Sequence, residues 1–105
     1  MFYRYIIIKE GQKSGLFHPK QKWNVKKENG LYDVVRKNFS DLPYTKEHKI
    51  KTISWFKQAG IEKFQTGINE LKQFYNQYNI KVVCICKENI DNIIAEDEFQ
   101  VWCKY

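Results

Sequence analysis

Long apolar runs are missing from this sequence. No stretch approaches the roughly 20 apolar residues that a membrane-spanning helix needs. Ile6-Ile7-Ile8, with Tyr3, Arg4 and Lys9 around it, is too short for the apolar core of a secretory signal. Neither membrane insertion nor export is expected, and the chain reads as cytoplasmic. Cysteine is sparse and odd in number: Cys84, Cys86 and Cys103 sit inside strand-like patterns and read as reduced, buried thiols rather than a disulfide framework. Histidine is sparser, with only His18 and His48, both far from the cysteines in sequence, and no Cys-x-x-Cys pair is present. A tetrahedral zinc site would lack its fourth ligand, so no metal is expected. A glycine-rich phosphate loop, a Gly-x-Ser-x-Gly elbow and a His-Glu-x-x-His helix are all absent, which removes the usual enzyme signatures and any cofactor they imply. There is no internal repeat and no low-complexity tract.

What is present points to a packed core. A chain of 105 residues reads as one domain, residues 1–105, because two cores would each be too small. Apolar residues make up 43% and aromatics 16%, well above the disordered regime. The net charge of +6 is unevenly spread. Residues 1–57 carry thirteen Lys and Arg against five Asp and Glu, whereas residues 58–105 carry five against seven. The basic first half points to an anionic partner.

Hydrophobic periodicity outlines the elements. Residues 2–9 alternate as a strand, with Gly11 and Ser14-Gly15 as turn signals and Leu16-Phe17 as a short return, ended by Pro19. Lys20 to Asn29 is a polar loop or frayed helical turn around a single large apolar residue, Trp23, stopped by Asn29-Gly30. Leu31, Val34, Val35 and Phe39 form one face of a short helix, which Ser40-Asp41 and Pro43 close. Ile50, Ile53, Trp55 and Phe56 mark a short strand, although a helical start near Lys46 fits as well. The clearest pattern follows: Ile61, Phe64, Ile68, Leu71, Tyr75 and Tyr78, spaced 3, 4, 3, 4, 3, predict an amphipathic helix from about Gln58 to Tyr78. Gly67 interrupts it where close packing would require a small residue, and Asn79 is placed to end it in a left-handed conformation. Ile80 to Cys86, with little alternation, predicts a strand buried on both faces and hence central in a sheet. Ile93-Ile94-Ala95 and Phe99 to Cys103 predict two short strands, or one bulged strand, around Glu96-Asp97-Glu98. The expected architecture is α+β: a mainly antiparallel sheet of four or five strands with two helices packed on one face.

Two clusters are candidate sites. Lys13, Lys20, Lys22, Lys26 and Lys27, with Trp23 among them, would neutralise phosphates and stack on an unpaired base, or would meet an acidic protein surface. Lysine rather than arginine argues for backbone contact over base readout. Such lysines equally serve to solvate a surface, with Trp23 turned into the core. Glu96 and Glu98 alternate onto one strand face and could share acid–base work, yet they equally suit a solvated turn at the sheet edge.

Ile53-Ser54-Trp55-Phe56-Lys57, the helix and strand after it, and Glu96-Asp97-Glu98-Phe99-Gln100-Val101 together resemble an uncharacterised family of small bacterial and phage proteins. That family has a Trp-Phe pair, a Tyr-Glu-Asp-x-x-Gln-Val ending and a Leu-Pro segment upstream. Leu42-Pro43 matches that segment, and Ala95 stands in place of the Tyr. The resemblance covers about residues 42–101 and implies a shared fold. A small, basic, Lys-, Asn- and Ile-rich chain also resembles phage accessory proteins, including anti-CRISPR inhibitors. That likeness implies a stoichiometric binder of a nucleic acid or nucleoprotein machine. Arg4 or His18, Trp55-Phe56 and Glu96 or Glu98 fall in the order found in ADP-ribosyltransferases, which would imply transfer chemistry at Arg4, Glu96 and Glu98. The Ser-Thr-Ser strand of those enzymes is missing. A self-associating subunit using the aromatic surface is a third expectation.

Overall fold

Two residues at positive φ, Glu10 (51°) and Gly11 (78°), turn the chain back on itself after the first strand. This is the two-residue loop whose twist matches that of the strands it joins. β1 (Phe2–Lys9) therefore pairs antiparallel with β2 (Gln12–Gly15), from Lys9↔Gln12 to Ile6↔Gly15. The return strand thus begins at Gln12 rather than at Leu16-Phe17. Residues 1–16, 23, 30–40 and 52–104 are described by the computed structural model. The expectations made for Pro19, Leu42-Pro43, Lys46 and Ile50 lie outside them.

The remaining elements are α1 (Leu31–Phe39), β3 (Thr52–Phe56), α2 (Gln58–Asn76), β4 (Lys81–Lys87), β5 (Ile93–Glu96) and β6 (Gln100–Lys104). All strand pairs are antiparallel, in the order β2-β1-β3-β6-β5, and β4 pairs with β1 off that path. β4 runs beside β1 from Phe2↔Lys87 to Ile8↔Lys81. It occupies one edge of β1, and β2 and β3 share the other. The expected α+β class, with two helices against one face of an antiparallel sheet, is what the chain adopts.

The core lies between α2 and the sheet. Ile68, Leu71 and Tyr75 of α2 are fully buried together with Ile7 of β1 and Ile80 ahead of β4. These are the stripe positions of the 3.6-residue period, and truncating one such side chain to alanine typically costs about 2–5 kcal/mol. α1 lies against α2 and adds Leu31 and Phe39 to the same core. The crossing is close at Gly67, where a Cβ would stand 2.5 Å from Asn38 Cβ and 3.0 Å from the Phe39 ring. Gly67 is there because nothing larger fits. Asn79 takes the left-handed conformation (φ 58°) that its position beyond the helix predicted. The Tyr75 hydroxyl, buried, donates to the Leu16 carbonyl and so pins α2 to the end of the β1–β2 hairpin.

Two expectations need correction. β4 is not a central strand: among the described residues it pairs only with β1, and five of its seven residues are exposed. Its apolar run made it a strand but could not say what lay on its far side. Cys84 and Cys86 are accordingly exposed thiols, and only Cys103 is buried. The strand that is buried throughout Gln100–Cys103 is β6, held between β3 and β5.

Candidate nucleic-acid interface

Because strand side chains alternate between faces, the register fixes which residues share a surface. Ile7 points to the helices, so Phe2, Arg4, Ile6 and Ile8 of β1 point to the other face, on which no described helix lies. Lys13 of β2 and Lys81 of β4 both pair with Ile8, and Lys87 pairs with Phe2. All three lysines therefore project from the helix-free face, and all three are exposed. With strands about 4.8 Å apart, Lys13 and Lys81 stand roughly 10 Å apart on either side of Ile8, and the Phe2 row lies roughly 20 Å further along. No acidic residue of β1, β2 or β4 occupies this face.

Aromatic and aliphatic side chains lie between the cations. Trp55, Val101 and Cys103 form a small second core here, with Phe2, Ile53 and Ile90 packed around it. Lys87 Nζ sits 5.5 Å from the centre of the Trp55 ring, close enough for a cation–π contact. Trp55 is only 5% exposed and acts as floor rather than as a stacking surface. Ile85, paired with Arg4, is exposed. The Arg4 guanidinium donates to the Ser54 carbonyl through Nη1 at 3.2 Å, which ties β1 to β3.

The residues singled out in the sequence fare unequally. Lys13 is on the exposed basic surface. Lys20, Lys22, Lys26, Lys27 and His18 fall outside the described residues. Trp23 is 3% exposed and part of the main core, so it is not available to stack on a base. Lys9 Nζ donates to its carbonyl at 3.3 Å. Lys81 and Lys87 stand outside any linear basic cluster because they are distant from the basic segment in sequence. Their equal parity, at the two ends of one strand, was the available signal.

The acidic triplet is a turn. Asp97 Oδ1 accepts the N–H groups of Phe99 and Gln100, both at 2.8 Å, and the Asp97 N–H donates to the Gln100 carbonyl at 2.9 Å. This closes the β5–β6 hairpin and ends the alternation that would have placed Glu98 beside Glu96. Glu96 instead pairs with Lys57 at 2.9 Å. Arg4 and Glu96 lie on strands separated by β3 and β6, about 14 Å apart across the sheet. The turn does not bring Arg4, Glu96 and Glu98 into one site.

Titration behaviour is unusual mainly on the helix side. Burial and the nearby Cys84 thiol push Tyr5 up to about 12. Burial raises Tyr75, whose phenol stays neutral while bonded to Leu16. Hydrogen bonds from Lys37 (3.0 Å) and Asn38 (2.6 Å) hold Glu70 below its ordinary value where α1 meets α2. A shallow depression beside that contact, lined by Asp33, Val34, Lys37, Glu70 and Phe74, is far from the basic face. No group of three or more metal-ligating side chains occurs among the described residues. No helix among them is long and apolar enough to cross a membrane. Compared with protein-family models, curated proteins and solved structures, the chain has no match.

Proposed function

We propose that this protein is a small phage or mobile-element accessory protein that binds a nucleic acid or nucleoprotein machine stoichiometrically, as anti-CRISPR inhibitors do. The observation that carries the reading is the grouping of Lys13, Lys81 and Lys87 on one helix-free sheet face with no acidic neighbour on β1, β2 or β4. Strand register assembles that surface from both halves of the sequence. Lys20, Lys22, Lys26 and Lys27, which lie outside the described residues, add to the positive charge of the chain. Lysines spread over a flat apolar sheet suit a phosphate backbone better than base edges, because each is a point charge with no bidentate geometry. Binding should therefore be steep in salt and tolerant of sequence.

The test is anisotropy titration of labelled single- and double-stranded oligonucleotides at several salt concentrations, comparing the wild type with Lys13→Glu/Lys81→Glu/Lys87→Glu. For a single strand, removing three phosphate contacts lowers the slope of log K against log salt by about 2 and weakens binding to every sequence. Unchanged affinity and slope in the triple variant, with its fold intact, would sink the assignment. A pull-down from host lysate with and without nuclease separates a nucleic-acid ligand from an acidic protein one.

A further inference from the structure

Cysteine is among the most buried residue types, yet Cys84 and Cys86 are both exposed and fill no part of either core. They are two apart on β4, so both project from the same face, the one toward α2. Their partners across the strand are Tyr5 and Tyr3. The two thiols and the Tyr5 hydroxyl thus stand close together on one face of the sheet. Lys72 of α2 reaches over this group, with Nζ 5.3 Å from the centre of the Tyr5 ring.

We propose that Cys84 and Cys86 form a two-coordinate site for a soft, thiophilic monovalent cation, for which Cu(I) is the representative. Thiolates select such ions over the harder cations that prefer oxygen. Cys103, on β6, projects with Trp55 from the opposite face and cannot complete a higher-coordinate set in the same chain. A tetrahedral zinc is thereby excluded from the cysteines alone, while a two-ligand ion is not. Metal–sulfur bonds of about 2.3 Å on either side of the ion ask for sulfurs roughly 4.6 Å apart at most. Thiols on adjacent same-face positions can meet that by rotation about χ1. A disulfide is the poorer use of the pair, since residues two apart in a strand stand about 6.6 Å apart at Cα, near the upper limit for a bridge.

The chemistry balances simply. Both thiols lose their protons, two protons leave, and one cation is taken up, so the filled site carries one net negative charge. Lys72 lies where it offsets that charge, and its ammonium already favours the Cys84 thiolate. Because both thiols must lose a proton to bind, uptake competes with protons and strengthens as pH rises.

The experiment is an anaerobic titration of the reduced full chain with Cu(I) against a chromophoric Cu(I) chelator. Its companions are Cys84→Ser, Cys86→Ser and Cys103→Ala, and near-ultraviolet circular dichroism checks each fold. The wild type and Cys103→Ala should each retain one Cu(I) per chain. Loss of a supporting residue around a metal costs about 10–100-fold, so loss of a ligand in Cys84→Ser or Cys86→Ser should weaken retention by at least about a hundredfold. Full retention by either serine variant overturns the proposal, as does loss only in Cys103→Ala. Failure of the wild type to compete overturns it, and so does one Cu(I) shared between two chains.

Discussion

β4 and β6 have similar apolar content and opposite fates. Val82, Val83, Cys84, Ile85 and Cys86 in β4 make the longer apolar run, yet Cys84, Ile85 and Cys86 are exposed. Gln100, Val101, Trp102 and Cys103 in β6 include a polar residue, yet all four are buried. The difference is the number of neighbours. β6 has β3 and β5 on its two edges, with Val101 and Cys103 in the smaller core and Gln100 and Trp102, also buried, pointing the other way. β4 has β1 alone among the described residues. Lys81 and Lys87 guard the ends of that edge, as lysines commonly do where a strand must not recruit another chain. Burial belongs to the place a strand takes in the sheet and only weakly to its composition.

The sharpest way to break this comparison is to put the same charge in both strands. Val101→Asp buries an unpaired carboxylate at a site with no solvent exposure. It should abolish cooperative unfolding in a domain whose entire stability is expected at roughly 5–15 kcal/mol. Ile85→Asp, on a residue 37% exposed, should fold and lose only about 1 kcal/mol or less by urea titration. If both variants unfold, β4 is as central as β6 and the contrast fails.

A smaller effect is expected at Gly60, which holds the start of α2 against the approach to β6. A Cβ there would stand 2.3 Å from the Phe99 carbonyl oxygen, and that oxygen already accepts the Lys57 N–H at 2.8 Å. Backbone must move to admit it, so Gly60→Ala should cost about 1–3 kcal/mol in chemical denaturation despite its better helix propensity. A stabilised Gly60→Ala would mean that β6 is less tightly seated than its burial indicates. The smallest effect is acid sensitivity away from both strands. Glu70 is held below its ordinary value of 4.5, so its contribution is complete above that value and is lost as pH falls through the lower folded value. Glu70→Gln should flatten a shallow loss of stability below about pH 4.5; an unchanged pH profile would show that the Lys37 and Asn38 contacts contribute nothing. Glu70 being on the surface, the change should be slight.

Much of the fold was legible because it rests on local periodicity. The spacing from Ile61 to Tyr75 fixed α2 and its buried face, Gly67 marked the helix crossing, and Asn79 its exit. The turn at Asp97 and the strands around it were equally readable. What stayed hidden depended on partners remote in the chain. An apolar run such as Ile80 to Cys86 is compatible with a central strand or an edge, and only pairing decides. The candidate site suffers most from this. The basic segment before residue 28 is a linear cluster, whereas Lys13 and Lys81 flank Ile8, and Lys87 shares their face, only through the pairing of β2 and β4 with β1. Trp23 could be read either way, and burial decided for the core.

The position of β6 has a consequence in time as well as in space. It enters between β3 and β5, so the half of the sheet built on β3 cannot close until residues 100–104 have been synthesised. Until then β3, which carries Trp55 and Ile53, has β1 on one edge and no strand on the edge that β6 takes. Pairings this distant in sequence close loops of about fifty residues, an entropic cost that slows folding relative to helical bundles. A nascent chain halted just short of Gln100 should therefore present Trp55 to the solvent, and to any chaperone waiting at the ribosome.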